Sequence, residues 1–372
     1  MSKEKTVKVG VLGCGMISEI YMTNISRLFK EIEVIGVYDR FPEAAEKRAK
    51  QFELKNCYGS YEEMLSDSEI DVILNLTIPL VHYDTTKQAI LAGKHVYTEK
   101  PLAATFKEAR ELVQLAKAQG VRLGSSPDVP LGSGVQTCRK LVDDGYIGRV
   151  VGASANLIKR GVETWHPNPD FLYQPGAGPL MDMGPYYLGA MLQIMGPAVS
   201  VSGMSSISFK TRTITSQPRY GETIQVNVPT YVNALINYES GAMGTFTATF
   251  DVHKASLPFI EIYGSEGTLT MPDPNVFGGP VQLYRPEKGE FIEFPMIFGY
   301  EENSRGLGLA DMCKAIISGR DHRANAGTAL HVLEMMDGIL QSAEKGARYN
   351  LETSCSRPAP MAMRGLPGVL DD

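Results

Sequence analysis

Between Val7 and Gly124 short β-branched runs alternate with helix-like stretches, and the first joint between them is GCGMIS, Gly13 to Ser18. That joint constrains the fold more than any other feature. The apolar runs are VKVGVL (7–12), VIGVY (34–38), DVILNLT (71–77), HVYT (95–98) and VRLG (121–124), and helical patterns cover 16–29, a stretch opened by Pro42, 81–92 and 105–119. Apolar strands separated by helices imply βαβ units and a parallel sheet covered on both faces, with right-handed crossovers. A glycine-rich turn that closes a strand and opens a helix is the setting in which such a run holds a dinucleotide. Gly13 allows the tight turn, and Gly15 removes a side chain where a pyrophosphate must approach. The helix starting at Met16 and Ile17 then offers free N–H groups and the positive end of its dipole. The third position is Ser18, small enough for helix–strand packing but a departure from glycine or alanine. The bland alternative is a glycine turn in an α/β protein that binds nothing.

Asp39 closes the second strand, 21 residues after Ser18. A carboxylate there accepts from both adenosine ribose hydroxyls and repels a 2′-phosphate, which favours NAD. Arg40 points the other way, because a guanidinium beside the ribose pairs with that phosphate, so NADP stays open. Past residue 150 the pattern changes. VSVSGMSSISF (199–209), TYVNALINY (230–238) and GTFTATFDV (244–252) alternate polar and apolar residues with period two, as antiparallel strands with one buried face do. Ala329, Val332, Leu333, Met336, Ile339 and Leu340 follow a helical period and read as a core-packing helix. The fold class expected is α/β: a Rossmann domain over residues 1–124 and a second α/β domain over 125–372. The Pro- and Ser-rich tail after Tyr349 is expected to wrap a surface or fray.

Composition narrows the function classes. A chain of 372 residues suggests about two domains. A net charge of −6 gives no footprint for nucleic acid or an anionic membrane, and no apolar run approaches the length of a bilayer span. The charged start, MSKEKTVKVGVLG, does not read as a secretory signal. The five cysteines are scattered without metal-ligand or CxxC spacing, so a reducing cytoplasm is expected. The six histidines are equally dispersed and no metal is expected.

GCGMIS, TIPLVH (77–82), EKP (99–101) and GAGPLMDMGPYY (176–187) follow one another in the order and spacing of the Gfo/Idh/MocA oxidoreductases. The chain resembles that family, which includes glucose–fructose oxidoreductase and inositol dehydrogenase, over nearly its whole length. The resemblance implies a Rossmann domain followed by an α/β domain on a large, open, mostly antiparallel sheet. It also implies a carbohydrate or cyclitol substrate, and pairing through the outer sheet face into a dimer or tetramer. Thr77, His82, Glu99 and Lys100 then join the cofactor-binding set, with His82 near the nicotinamide ribose. Lys100 matches the lysine that reaches both nicotinamide and substrate hydroxyl, where a fixed ammonium stabilises negative charge on the carbinol oxygen.

Many members carry histidine four residues past the aspartate of the second motif. Here the run is Asp182, Met183, Gly184, Pro185, Tyr186, and tyrosine also occupies that position in the glucose–fructose oxidoreductase branch. A phenol titrates near ~10 and is a poor base at neutral pH, but a neighbouring ammonium favours phenolate. Tyr186 is therefore expected to exchange the hydroxyl proton with Lys100 tuning it, and Asp182 to orient the sugar hydroxyls or act as the base. Trp165 and His166, in ETWHPNPDF (163–171), are candidates to stack on a pyranose ring and bond a hydroxyl. Asp128, in SSPDVPLG, is expected at the cleft. Two other functions fit the same residues: an NAD-dependent glycoside hydrolase or lyase with no net NADH, and a non-catalytic NAD-binding sensor.

Overall fold

The computed structural model describes residues 6–363 together with Leu370 and Asp371. The chain forms two compact units, Met1–Ser133 with Ile297–Leu330 and Pro358–Asp372, and Gly134–Met296 with His331–Arg357. The single boundary expected after residue 124 is thus replaced by a discontinuous division.

The first unit is built on β1 (Val7–Leu12), α1 (Met16–Leu28), β2 (Ile32–Tyr38), α2 (Pro42–Gln51), β3 (Asn56–Cys57), α3 (Tyr61–Ser66), β4 (Val72–Asn75), α4 (His82–Leu91), β5 (His95–Thr98), α5 (Phe106–Gln119) and β6 (Leu123–Ser125). Its six strands lie in the order β3-β2-β1-β4-β5-β6, and every pairing is parallel. All four residues of β4 are buried, as a strand covered on both faces requires. Local chemistry sets the helix ends. Pro42 starts α2. Thr105 and Glu108 close a capping box on α5, and Gly120 ends it at φ 68°. The edge strand β3 escapes a sequence reading because two residues carry no periodicity.

Next along the chain are α6 (Ser133–Asp143), β7 (Val150–Ile158), α7 (Pro179–Met195), β8 (Ala198–Ser206), β9 (Thr211–Thr213), β10 (Thr223–Gln225), β11 (Tyr231–Tyr238) and β12 (Met243–Thr249). Then come β13 (Ile260–Gly264), β14 (Thr268–Met271), β15 (Val281–Tyr284), β16 (Phe291–Phe294), α8 (Leu307–Ser318), α9 (Ala326–Lys345) and β17 (Tyr349–Asn350). The nine-stranded sheet of the second unit runs β16-β15-β14-β13-β7-β12-β11-β8-β17. Only β12 and β7 pair in parallel. Helix α7 lies against β7, β11 and β12. In β11 Val232, Ala234, Ile236 and Tyr238 are buried while Asn233 and Leu235 face outward, the alternation of a sheet with one open face. The β9–β10 hairpin stands apart from this sheet over its own small core, which includes Val162, Tyr173, Ile214, Ile224 and Phe250.

Helix α8 joins the first unit because it packs on β6, and Asn325 bridges to Gly124. The described part of the tail wraps this unit. Buried Arg323 donates to the carbonyls of Ala359 (3.1 Å) and Pro360 (2.9 Å), and it pairs with Asp371 at 2.5 Å. No helix among the described residues is long and apolar enough to cross a membrane.

Candidate active site

Parallel register brings four strand ends into one row, since Leu12 pairs with Tyr38 and with Asn75, and Asn75 pairs with Thr98. The residues that follow these ends, Gly13, Asp39, Leu76 and Glu99, therefore share the carboxyl edge of the sheet, where open α/β sheets bind ligands. Gly13 has φ 96°, and a Cβ on it would lie 2.8 Å from the carbonyl of Leu76, so only glycine fits. Above Gly15 a Cβ would meet nothing within 4 Å, and no side chain caps the start of α1. The first N–H groups of that helix are left for a ligand.

Asp39 is held from two sides. Its Oδ2 accepts from the Cys14 N–H at 2.7 Å and its Oδ1 from the Phe41 N–H at 2.9 Å, and each oxygen keeps a lone pair for a ribose hydroxyl. Exposed Arg40 lies 4.5 Å from the centre of the Phe41 ring, a cation–π contact. Met16, Phe41, Ile78 and Leu80 are exposed along this edge and offer apolar surface to flat rings. An open space above Gly15, uncapped helical N–H groups and an anchored carboxylate at the end of β2 fit an adenine dinucleotide.

Glu99 and Lys100 follow β5. Glu99 braces the loop: its Oε1 accepts from the Tyr21 hydroxyl at 2.6 Å and its Oε2 from the Lys100 N–H at 3.0 Å. The Tyr21 hydroxyl also meets Ser126 Oγ at 2.7 Å. Thr77 is tied to Asn75, whose Oδ1 accepts from its N–H (3.2 Å) and its hydroxyl (2.7 Å).

Two expectations need correcting. His82 is fully buried. Its Nδ1 lies 2.7 Å from the Pro101 carbonyl and its Nε2 2.9 Å from that of Thr77, so neither ring nitrogen is left for a ribose. The imidazole instead ties the loop after β4 to the loop after β5, and burial holds its pKa below the usual value. Asp128, expected to touch substrate, is buried as well. Its Oδ2 accepts from the N–H groups of Gly306 (2.8 Å) and Gly308 (3.2 Å) at the start of α8, which makes it a helix cap. Burial, opposed by those two N–H groups, pushes its pKa up to about 6.

In the second unit Gly178, at φ 95°, opens α7, and Pro179 is its first residue. Asp182 and Tyr186 are one turn apart on that helix, hence on one face. Asp182 is half-buried and Tyr186 buried. Trp165 is 66% exposed. Its ring centre lies 5.4 Å from that of His166, which lies 5.4 Å from that of Phe171, and Phe171 is exposed too. Beneath this loop runs a buried ionic network absent from any sequence motif. Arg212 donates to Glu163 Oε1 at 2.7 Å and to Asp251 Oδ1. Tyr173 donates to Glu163 Oε2, and Thr230 donates to Asp251 Oδ2 at 2.8 Å.

The first unit is thus a dinucleotide-binding α/β unit of 3-2-1-4-5-6 strand order. Residues 7–126 match the oxidoreductase family with NAD-binding Rossmann fold, and residues 135–270 match the GFO/IDH/MocA C-terminal domain. The chain belongs to the GFO/IDH/MocA family and is an NAD-binding oxidoreductase. It is 28% identical over 288 residues to trans-1,2-dihydrobenzene-1,2-diol dehydrogenase of Mus musculus, covering 77% of this chain and 79% of that one. It is 24% identical over 351 residues to D-glucoside 3-dehydrogenase of Escherichia coli (strain K12), covering 93% and 97%. Among solved structures, levoglucosan dehydrogenase in complex with NADH and L-sorbose shares the fold at a TM-score of 0.81 and 20% identity, covering 94% of this chain and all of that one.

Proposed function

We propose that this oxidoreductase transfers a hydride between a nicotinamide and a secondary hydroxyl of a sugar, sugar derivative or cyclitol. The observation that carries the substrate class is the exposed Trp165–His166–Phe171 cluster ahead of α7. Aromatic faces suit the C–H face of a pyranose, and an imidazole beside them supplies a polar handle. The relatives named for a glucoside, a cyclic diol and levoglucosan support the same class.

NAD, when bound, supplies the two-electron exchange. This chain's residues do the rest. Gly13, Gly15 and the start of α1 at Met16 and Ile17 hold the pyrophosphate. Asp39 holds the adenosine ribose and selects NAD over NADP, and Arg40 with Phe41 flanks the adenine. Lys100 stabilises charge on the carbinol oxygen, and Tyr186 exchanges the hydroxyl proton. Asp182, on the same face of α7, orients the neighbouring hydroxyls. The first unit carries the cofactor residues and the second those of the substrate. We place the enzyme in the cytoplasm as a homodimer or homotetramer, a setting suited to its five free thiols.

The test is a panel of sugars, sugar acids and cyclitols with NAD or NADP, following NADH absorbance and product mass in parallel. Absorbance rising with product is expected. Product without absorbance would mean that the hydride returns within one cycle, and the hydrolase or lyase reading would replace this one.

A further inference from the structure

The third small residue of the dinucleotide turn normally acts by being small. Here Ser18 makes specific contacts. It is fully buried, its hydroxyl donates to the carbonyl of Gly15 at 2.6 Å, and its oxygen accepts from Arg48 Nε at 3.0 Å. Arg48 comes from α2, whose other charged residues line a solvated face, yet it is 6% exposed. Its Nη1 donates to Glu19 Oε2 (2.9 Å) and Gln51 Oε1 (2.5 Å), and its Nη2 lies 3.4 Å from the carbonyl of Gly15. The Ser18 N–H reaches that carbonyl as well, at 3.2 Å.

We infer that Arg48 and Ser18 act together as positioning residues for the phosphate loop. Three donors converge on one oxygen, the carbonyl of Gly15. The peptide that follows is planar, so its N–H, that of Met16, points opposite to that carbonyl. Pinning the carbonyl inward aims the Met16 N–H outward, into the space left open above Gly15. The loop is preorganised for a pyrophosphate before one arrives, and binding costs less ordering. The guanidinium also sets a fixed positive charge beneath the loop. Its planar fork serves Ser18, Glu19, Gln51 and Gly15 at once, which a lysine cannot copy.

A pyrophosphate-specific role is separable from general support of the fold. ADP-ribose carries the pyrophosphate; adenosine does not, and relies on Asp39 and the Phe41 edge. The experiment measures dissociation constants of NADH by fluorescence titration, and of ADP-ribose and adenosine by competition against it. Wild type is compared with Arg48→Met and Ser18→Ala. Arg48→Met is expected to weaken NADH and ADP-ribose about tenfold and leave adenosine near its wild-type value. Ser18→Ala, which removes one hydroxyl and keeps the Arg48 pairs with Glu19 and Gln51, is expected to shift the same ratio several-fold in the same direction. An unchanged ADP-ribose-to-adenosine ratio in Ser18→Ala overturns the proposal whatever Arg48→Met does, and that arm survives if Arg48→Met fails to fold. Weakening of all three ligands alike would also overturn it, since that is the mark of a loosened fold.

Discussion

Tyr186 and Asp128 show how much a single side chain's surroundings decide. Tyr186 is buried on α7, where loss of one hydroxyl removes the proposed proton carrier and little packing. Tyr186→Phe is expected to lower turnover by about a hundred- to ten-thousandfold with NADH affinity unchanged; near-normal turnover would remove Tyr186 from the mechanism. For Asp128 the linkage has a definite sign. Its carboxyl titrates at about 6 in the fold against an ordinary value of 3.8. Between those pH values the folded chain holds a proton that the unfolded chain has released. Stability from this group is thus complete below pH ~4 and declines as pH rises through ~6. Asp128→Asn keeps an acceptor for Gly306 and Gly308 and abolishes the titration. Between pH 4 and 7 its stability relative to wild type is expected to rise by on the order of 2–3 kcal/mol. Urea unfolding at both pH values would measure this, and a constant offset between the two proteins would contradict it.

Among the elements, the β9–β10 hairpin and the aromatic loop behave as one piece. They share the small core under Phe250 and the network in which Arg212 joins Glu163 to Asp251. All three of these side chains are at most 5% exposed, so removing the arginine takes the shared cation from two buried carboxylates and leaves Glu163 only the more distant Arg160, at 3.8 Å. Arg212→Met is expected to cost about 3–5 kcal/mol in denaturant unfolding of the second unit. Because the nucleotide edge belongs to the first unit, NADH affinity should stay at the wild-type value. Trp165 is the only tryptophan, so its emission reports this loop directly. Unfolding that leaves the midpoint unmoved would show that the network holds nothing in place.

For the molecule as a whole, the open face of the nine-stranded sheet is where the proposed homo-oligomer would pair. Register places Met204 beside Asn233, Leu235 beside Thr245, and Met243 beside Asn237, so these side chains share the outer face with Ser, Thr and Asn. Leu235 is 63% exposed and Met204 78%. Across β8, β11 and β12 the face carries apolar and uncharged polar residues, with Glu261 and Glu293 further along the same face, and such a patch suits a second copy of the same surface. Leu235→Glu, placing two charges against each other across the proposed two-fold interface, is expected to give a smaller species than wild type by light scattering, with NADH affinity retained. A wild-type monomer at micromolar concentration would dispose of this assembly.

Alternation of β-branched runs and helices, the Gly13–Gly15 turn and the period-two strands after residue 150 were legible in the sequence, because each depends on residues a few positions apart. Asp39 was legible too, since the end of β2 places it. The roles of buried charges were not. Asp128 caps a helix 178 residues away, His82 braces a carbonyl 19 residues on, and Arg48 reaches back 30 residues to Ser18. In the sequence Arg48 is one cation in a charged helix and Asp128 one carboxylate in a proline-rich loop. Which of them leaves water, and for which partner, is settled only when distant segments pack. A desolvated charge must find its hydrogen bonds in whatever the fold brings beside it.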